Sequence, residues 1–171
     1  MSEGIDIPID SLVSAFESEL WTNSETSYYG RVFRNERMNE GIIQVSPEIW
    51  QSANHYIEVL KNVEYDAQCF FDVQPTIQLQ ADNHKAVVWI CFMVNLGKVY
   101  SAYTRTEATE LVHFDTRRII ELSQFDITEL VTGFEGFRDY DWSRENQGIV
   151  DMSPHYLFKY VTEIDYEITK C

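Results

Sequence analysis

Residues 86–94, Ala-Val-Val-Trp-Ile-Cys-Phe-Met-Val, run nine positions without a charge or a turn former. Both alternate sets are apolar: Val87, Trp89, Cys91 and Met93 on one side, Ala86, Val88, Ile90, Phe92 and Val94 on the other. A half-exposed strand alternates apolar with polar residues, so this run predicts a strand covered on both faces, the central strand of the main sheet. Its β-branched and aromatic content favours strand over a buried helical turn, and it is too short to span a bilayer, which takes about 20 residues as a helix.

The end of the chain shows the opposite pattern. Tyr156, Phe158, Tyr160, Thr162, Ile164, Tyr166 and Ile168 fall on one side of a period-2 repeat. Leu157, Lys159, Val161, Glu163, Asp165 and Glu167 fall on the other. This predicts a long strand with one core face and one increasingly acidic face.

Between the termini the pattern predicts further elements. Leu12, Phe16 and Leu20, with Val13 and Ala15, predict a first helix capped by Asp10 or Ser11 and ending near Trp21. Residues 28–33 read as a strand, and 34–41 as a polar hairpin or loop. Ser46-Pro47-Glu48 is a helix-start signal, and Ile49, Trp50, Ala53, Ile57 and Leu60 follow at helical spacing. Residues 68–80 turn strand-like, with Pro75 marking a bulge or an edge, and 81–84 read as a turn. Residues 98–103 read as a short strand continuation after Asn95-Leu96-Gly97. Residues 106–123 are the clearest helix, with Thr106 as its expected cap and Ala108, Leu111, Val112, Ile119 and Leu122 as its buried stripe. Asp126 is expected to cap a second, glycine-weakened helix over 127–137, before a polar loop over 138–148. The order α, β, α, β, β, α, α, β predicts the α+β class, a mainly antiparallel sheet with helices packed on one face, as a single domain over 1–171.

Composition narrows the function. Length 171 and 44% hydrophobic residues suit one domain with a real core. The formal net charge of −15 argues against a general nucleic-acid binder, which needs a basic footprint. It fits solubility, docking to a basic partner, or a surface that repels DNA. Three cysteines without paired spacing read as free thiols of a reducing compartment. The N-terminal residues lack the basic and apolar regions of a secretion signal.

The search for chemistry predicts no catalytic, cofactor-binding or metal-ligating residue. His55, His84, His113 and His155 are scattered. Asp139, Asp141, Ser143 and Glu145 alternate like a calcium loop, but Arg144 stands where the turn glycine is needed. Cys91, between Ile90 and Phe92, reads as an inert core thiol.

With these elements in order, the chain resembles the phage tail-terminator and tail-completion proteins of the head–tail neck. The resemblance runs through the helix over 10–21, the strand in Tyr-Tyr-Gly-Arg-Val-Phe-Arg-Asn, and the strand pair whose second member covers 87–96. It continues through the helix over 106–123, Phe-Arg-Asp-Tyr-Asp-Trp at 137–142, Asp-Met-Ser-Pro-His-Tyr-Leu-Phe at 151–158, and the last strand. Residues 40–66 depart from the smaller members of that family. The resemblance implies a non-enzymatic virion protein made in the host cytoplasm. It implies a homo-oligomeric ring, a hexamer, between neighbouring neck and tail-tube proteins, with no membrane. DNA would pass through without specific binding.

The expected acidic lumen face is Glu163, Asp165 and Glu167, since carboxylates repel a duplex that a basic lumen would hold. The expected subunit interface draws on the basic cluster Arg31, Arg34 and Arg37 and on the aromatics Tyr28, Tyr29, Tyr140 and Trp142. Two other readings stay open: an acidic DNA mimic that inhibits a basic nuclease, and a small α+β ligand-binding domain or enzyme with an internal pocket.

Overall fold

The computed structural model describes residues 4–52, 55–59, 64–80, 83–140 and 154–167. Along the chain run α1 (Asp6–Glu19), β1 (Thr26–Arg31), β2 (Phe33–Asn39), β3 (Ile42–Ser52), β4 (His55–Glu58), β5 (Ala67–Gln80), β6 (Asn83–Asn95) and α2 (Leu96–Val99). Then come α3 (Arg105–Glu121), β7 (Asp126–Thr132), a 3-10 turn (Phe134–Phe137) and β8 (His155–Glu167). The class is α+β. Five strands form a mixed sheet in the order β1-β5-β6-β8-β7, and β2-β3-β4 form a second, antiparallel sheet. The pairs β5–β6, β6–β8 and β7–β8 are antiparallel, and β1–β5 is parallel.

The doubly apolar run lies in β6, the middle strand of five, with Phe92 opposite Cys69 on one side and Phe158 on the other. Its two alternate sets enter two separate cores. In the first, Val88, Ile90 and Phe92 join Cys69, Phe71, Phe158 and Tyr160, together with Ile9, Leu12 and Phe16 of α1 and Val112 and Ile120 of α3. In the second, Cys91 and Met93 join Phe70, Leu157, Val32, Val45, Val59, Phe137 and Tyr140. Two-sided burial explains why β6 has no polar alternation. Pro75 falls where the β5–β6 register shifts, between Val73 and Ile77, as a residue without an N–H requires.

Several predicted elements differ. The helix expected from Ser46 is β3 and β4; its Ala53 and Leu60 lie outside the described residues. Alternation through Ile43, Val45, Pro47 and Ile49 outweighs the helical spacing, because Val45 and Ile49 join the second core. Pro47 is tolerated because it lies beyond the last β3–β4 register pair, Glu48↔Glu58, while its carbonyl accepts from Val59 N at 3.1 Å.

The helix expected over 127–137 is instead β7 and the 3-10 turn. Ile127, Thr128, Val131 and Thr132 are β-branched, and Gly133 ends the strand at φ 79°. Residues 96–99 form α2, not a strand continuation. The first helix begins at Asp6, four residues before the expected cap. Pro8 fits its first turn, where the backbone N–H has no helical acceptor. Thr104 caps α3 in place of Thr106, with a full capping box to Glu107. Of the expected turn over 81–84, Asn83 and His84 already belong to β6, and the rest lies outside the described residues. Among the described residues no helix is long and apolar enough to cross a membrane.

Candidate functional site

Beneath the second core face lies a group of buried polar side chains. Asp72 of β5 is fully buried, and its Oδ2 accepts from Arg34 Nη1 at 2.8 Å and from the Tyr140 hydroxyl at 2.6 Å. The Tyr140 oxygen lies 3.7 Å from Cys91 Sγ. On β8, Lys159 is buried with its Nζ 3.3 Å from the centroid of the Trp89 ring, a cation–π contact. Burial pushes the Cys91 and Tyr140 protons toward retention, and the nearby Asp72 charge adds to this. Desolvation lowers the Lys159 ammonium. A thiol held protonated is a poor nucleophile, and a tyrosine held protonated donates. The group therefore ties elements together: β2 through Arg34, β5 through Asp72, and the segment after the 3-10 turn through Tyr140. Among the described residues no three or more His, Cys, Asp and Glu are arranged to hold a metal ion.

Of the expected interface residues, the structure describes the side chains of Arg31, Arg34, Tyr28, Tyr29 and Tyr140. Arg31 is exposed and lies 3.5 Å from Asp6 of α1. Arg34 is committed to Asp72. Arg37 lies in β2, with its Cα opposite that of Gln44. Tyr140 is buried, so it is a core hydrogen-bond donor and not an exposed aromatic. Tyr28 is half-buried in the first core, stacked on Trp21, and its hydroxyl donates to Leu20 O at 2.5 Å. Tyr29 is half-buried against the second core. Trp142 lies outside the described residues.

The second face of β8 emerges from cover along its length. Leu157 and Lys159 are buried, Val161 and Glu163 are intermediate, and Asp165 and Glu167 are exposed. Glu163 bonds Lys85 of the adjoining β6 at 2.6 Å, which raises the Lys85 ammonium first through that hydrogen bond and then through its charge. Asp165 and Glu167 join Asp126, Asn83 and Gln124 around an open cleft of about 600 Å³.

Exposed apolar side chains form surfaces that the sequence reading did not single out. On the β2–β3 hairpin, Met38 and Ile43 are paired across the strands and exposed at 75% and 57%. Phe33 is exposed on the same sheet. On the helical side, Ile7, Tyr103, Phe114 and Leu122 are exposed, and a groove of about 500 Å³ runs between α1 and α3. Leu130 of β7 and Phe134 of the 3-10 turn are exposed as well. A helical projection had a signal to offer: Phe114 lies off the stripe of Ala108, Val112, Ile119 and Ile120 that α3 buries.

Comparison with protein-family models, with curated proteins and with solved structures finds no match to this chain.

Proposed function

We propose that this chain is a non-enzymatic virion protein of the phage head–tail neck, a tail terminator or tail-completion protein that assembles as a six-membered ring. The observation that carries the reading is the presence of exposed apolar side chains on different elements, the Met38–Ile43 pair of the β2–β3 hairpin and, elsewhere, Leu130 of β7. A ring needs head-to-tail contacts between two unlike patches, whereas a simple dimer needs one. Such patches are ordinarily buried against a partner. In this reading α1 and α3 form the layer on one face of the main sheet, and the ring holds neighbouring neck and tail-tube proteins above and below it. Asp165 and Glu167, with Glu163 and Asp126 beside them, supply the carboxylates of a DNA-repelling lumen. Arg31, exposed beside an equally exposed Asp6, would face a neighbouring acidic subunit in this reading, while Arg34 is held inside the chain by the buried Asp72.

Native mass spectrometry and electron microscopy of the purified protein test the reading, together with mass spectrometry of purified particles. A ring that Met38→Glu dissolves, and the chain's presence in virions, are expected. A protein that is absent from particles and binds a basic nuclease in a salt-dependent way overturns it in favour of the DNA-mimic inhibitor.

A further inference from the structure

We propose that the outer face of α3 is a two-fold self-association surface on which α3 of a second copy lies antiparallel. The proposal does not rest on the ring reading. A two-fold contact closes on itself and cannot build a ring, so this is a separate interface.

The residues on that face are Tyr103, Glu107, Leu111, Phe114, Arg118 and Leu122, spaced 4, 4, 3, 4, 4. The helical members of the set form one stripe, displaced from the stripe that α3 buries. Tyr103, Phe114 and Leu122 are exposed at 54%, 65% and 82%, and Leu111 is half-buried. The spacing reads the same in both directions, as an isologous contact demands: residue i meets j, and j meets i. In antiparallel register Leu111 meets Phe114 and Glu107 meets Arg118, each pair occurring twice, with Tyr103 and Leu122 at the two ends of the stripe. A helix and its copy then match in charge as well as in shape. The antiparallel arrangement also sets opposite dipole ends side by side.

Two further observations point to a second copy as the occupant. Arg118 is exposed and has no ion-pair partner among the described residues, and the Glu107 carboxylate uses only Oε2 in its capping box. Two shallow depressions flank Phe114. One, about 280 Å³, is bounded by Tyr103, Glu107, Glu110, Leu111 and Phe114; the other, about 250 Å³, by Phe114, Arg117, Arg118, Glu121 and Leu122. The first is a hole of four helical residues, 107, 110, 111 and 114, at the place where the register sets Phe114 of the second copy. An unrelated partner has no reason to match a stripe that is its own reverse complement in charge and spacing.

Sedimentation equilibrium of the full chain tests the inference at concentrations up to about 100 μM, where a contact of micromolar affinity is populated. Wild type is expected to form dimers, or assemblies built of them. Phe114→Glu, at an exposed position, is expected to weaken the contact by about a hundredfold or more, as loss of a central anchor does. Arg118→Glu and Glu107→Arg each place like charges opposite one another twice and should weaken it by about tenfold. Mixed together, these two variants should form a heterodimer, since each supplies the charge the other lacks. Circular dichroism confirms that helix content survives the loss of the capping box.

A wild type that stays monomeric overturns the proposal. So does a mixture that fails to associate while both variants remain folded, and so does association indifferent to Phe114→Glu. Assembly that Met38→Glu dissolves and Phe114→Glu leaves intact also overturns it, while leaving the ring reading standing.

Discussion

Replacing Asp72 with alanine tests the account of the buried polar group. The carboxylate is fully buried and accepts two short hydrogen bonds, from Arg34 at 2.8 Å and from Tyr140 at 2.6 Å. Removing one partner of a buried ion pair costs about 3–5 kcal/mol, chiefly because the other charge is left without compensation. The Arg34 side chain retains 21% exposure, so water offsets part of that loss, and a contribution of about 2 kcal/mol is the better expectation. The buried Tyr140 hydroxyl, left without its acceptor, adds about 1 kcal/mol. The expected total is about 3 kcal/mol. For 171 residues the unfolding entropy is about 0.36 kcal/mol/K, so the melting temperature should fall by about 8 °C. Urea denaturation of Asp72→Ala, Arg34→Met and the double variant gives the coupling directly. The double variant should lose less than the two single losses combined, by about 2 kcal/mol, because removing the cation relieves what removing the anion exposed. Additive losses, or a total below about 1 kcal/mol, would falsify the assignment of this group as a structural tie.

Three further outcomes follow from the packing. Phe92→Ala should cost about 3–5 kcal/mol in denaturant unfolding, since the ring is fully buried against Phe158 at 4.9 Å, Phe16 at 5.6 Å and Trp21 at 6.0 Å. Thr104→Ala removes the side-chain half of the α3 capping box and should cost about 1 kcal/mol, with the helix start exchanging amide hydrogens faster. His113 packs against Phe158 and Tyr160, with Nε2 2.9 Å from the Tyr156 hydroxyl, and desolvation lowers its imidazolium below the usual histidine range. The unfolded chain then binds the proton more readily, so this contribution is complete above about pH 6.5 and is lost as pH falls below it. A His113→Gln variant should show a flatter decline in stability between neutral and mildly acid pH, and an unchanged slope would refute the assignment.

The sequence announced the strands that bury whole faces and concealed those that compete with another periodicity. Residues 86–94 identified β6 as the central strand because nothing polar interrupts either face. Residues 156–168 identified β8 because a residue's side alternates with its number; burial follows that alternation from Val161 to Glu167, whereas Leu157 to Tyr160 are buried on both faces. The segment after Ser46 failed because a proline after a serine is a helix start only if the chain has no sheet to join there. Here β2 supplies one, with Pro47 opposite Arg34. β7 was concealed because much of the strand is exposed at a sheet edge, so its residues carry little apolar alternation to read. The Asp72 group was beyond sequence reasoning for another reason. Arg34 and Asp72 are 38 positions apart and Asp72 and Tyr140 are 68 apart, and only the packing of β2, β5 and the segment after the 3-10 turn brings them together. A buried aspartate inside an apolar run, as in Cys-Phe-Phe-Asp-Val, was the one local sign that a cation would be found.

Two of the residues expected at a subunit interface, Arg34 and Tyr140, hold the fold together instead. Arginines and tyrosines are enriched both in interfaces and in the tethers that hold a fold together, and residue type does not separate the two uses. Burial does. Arg34 and Tyr140 are drawn inward by one carboxylate, while the exposed side chains include the large apolar ones of Met38, Ile43, Phe114 and Leu122. A chain carrying −15 repels its own copies at long range, so a self-contact must be favoured at short range by such side chains. It must also place its few free cations where they meet carboxylates. Arg118, one helical repeat from Phe114 and without an ion-pair partner among the described residues, meets that requirement on α3, and Arg34, held by Asp72, does not.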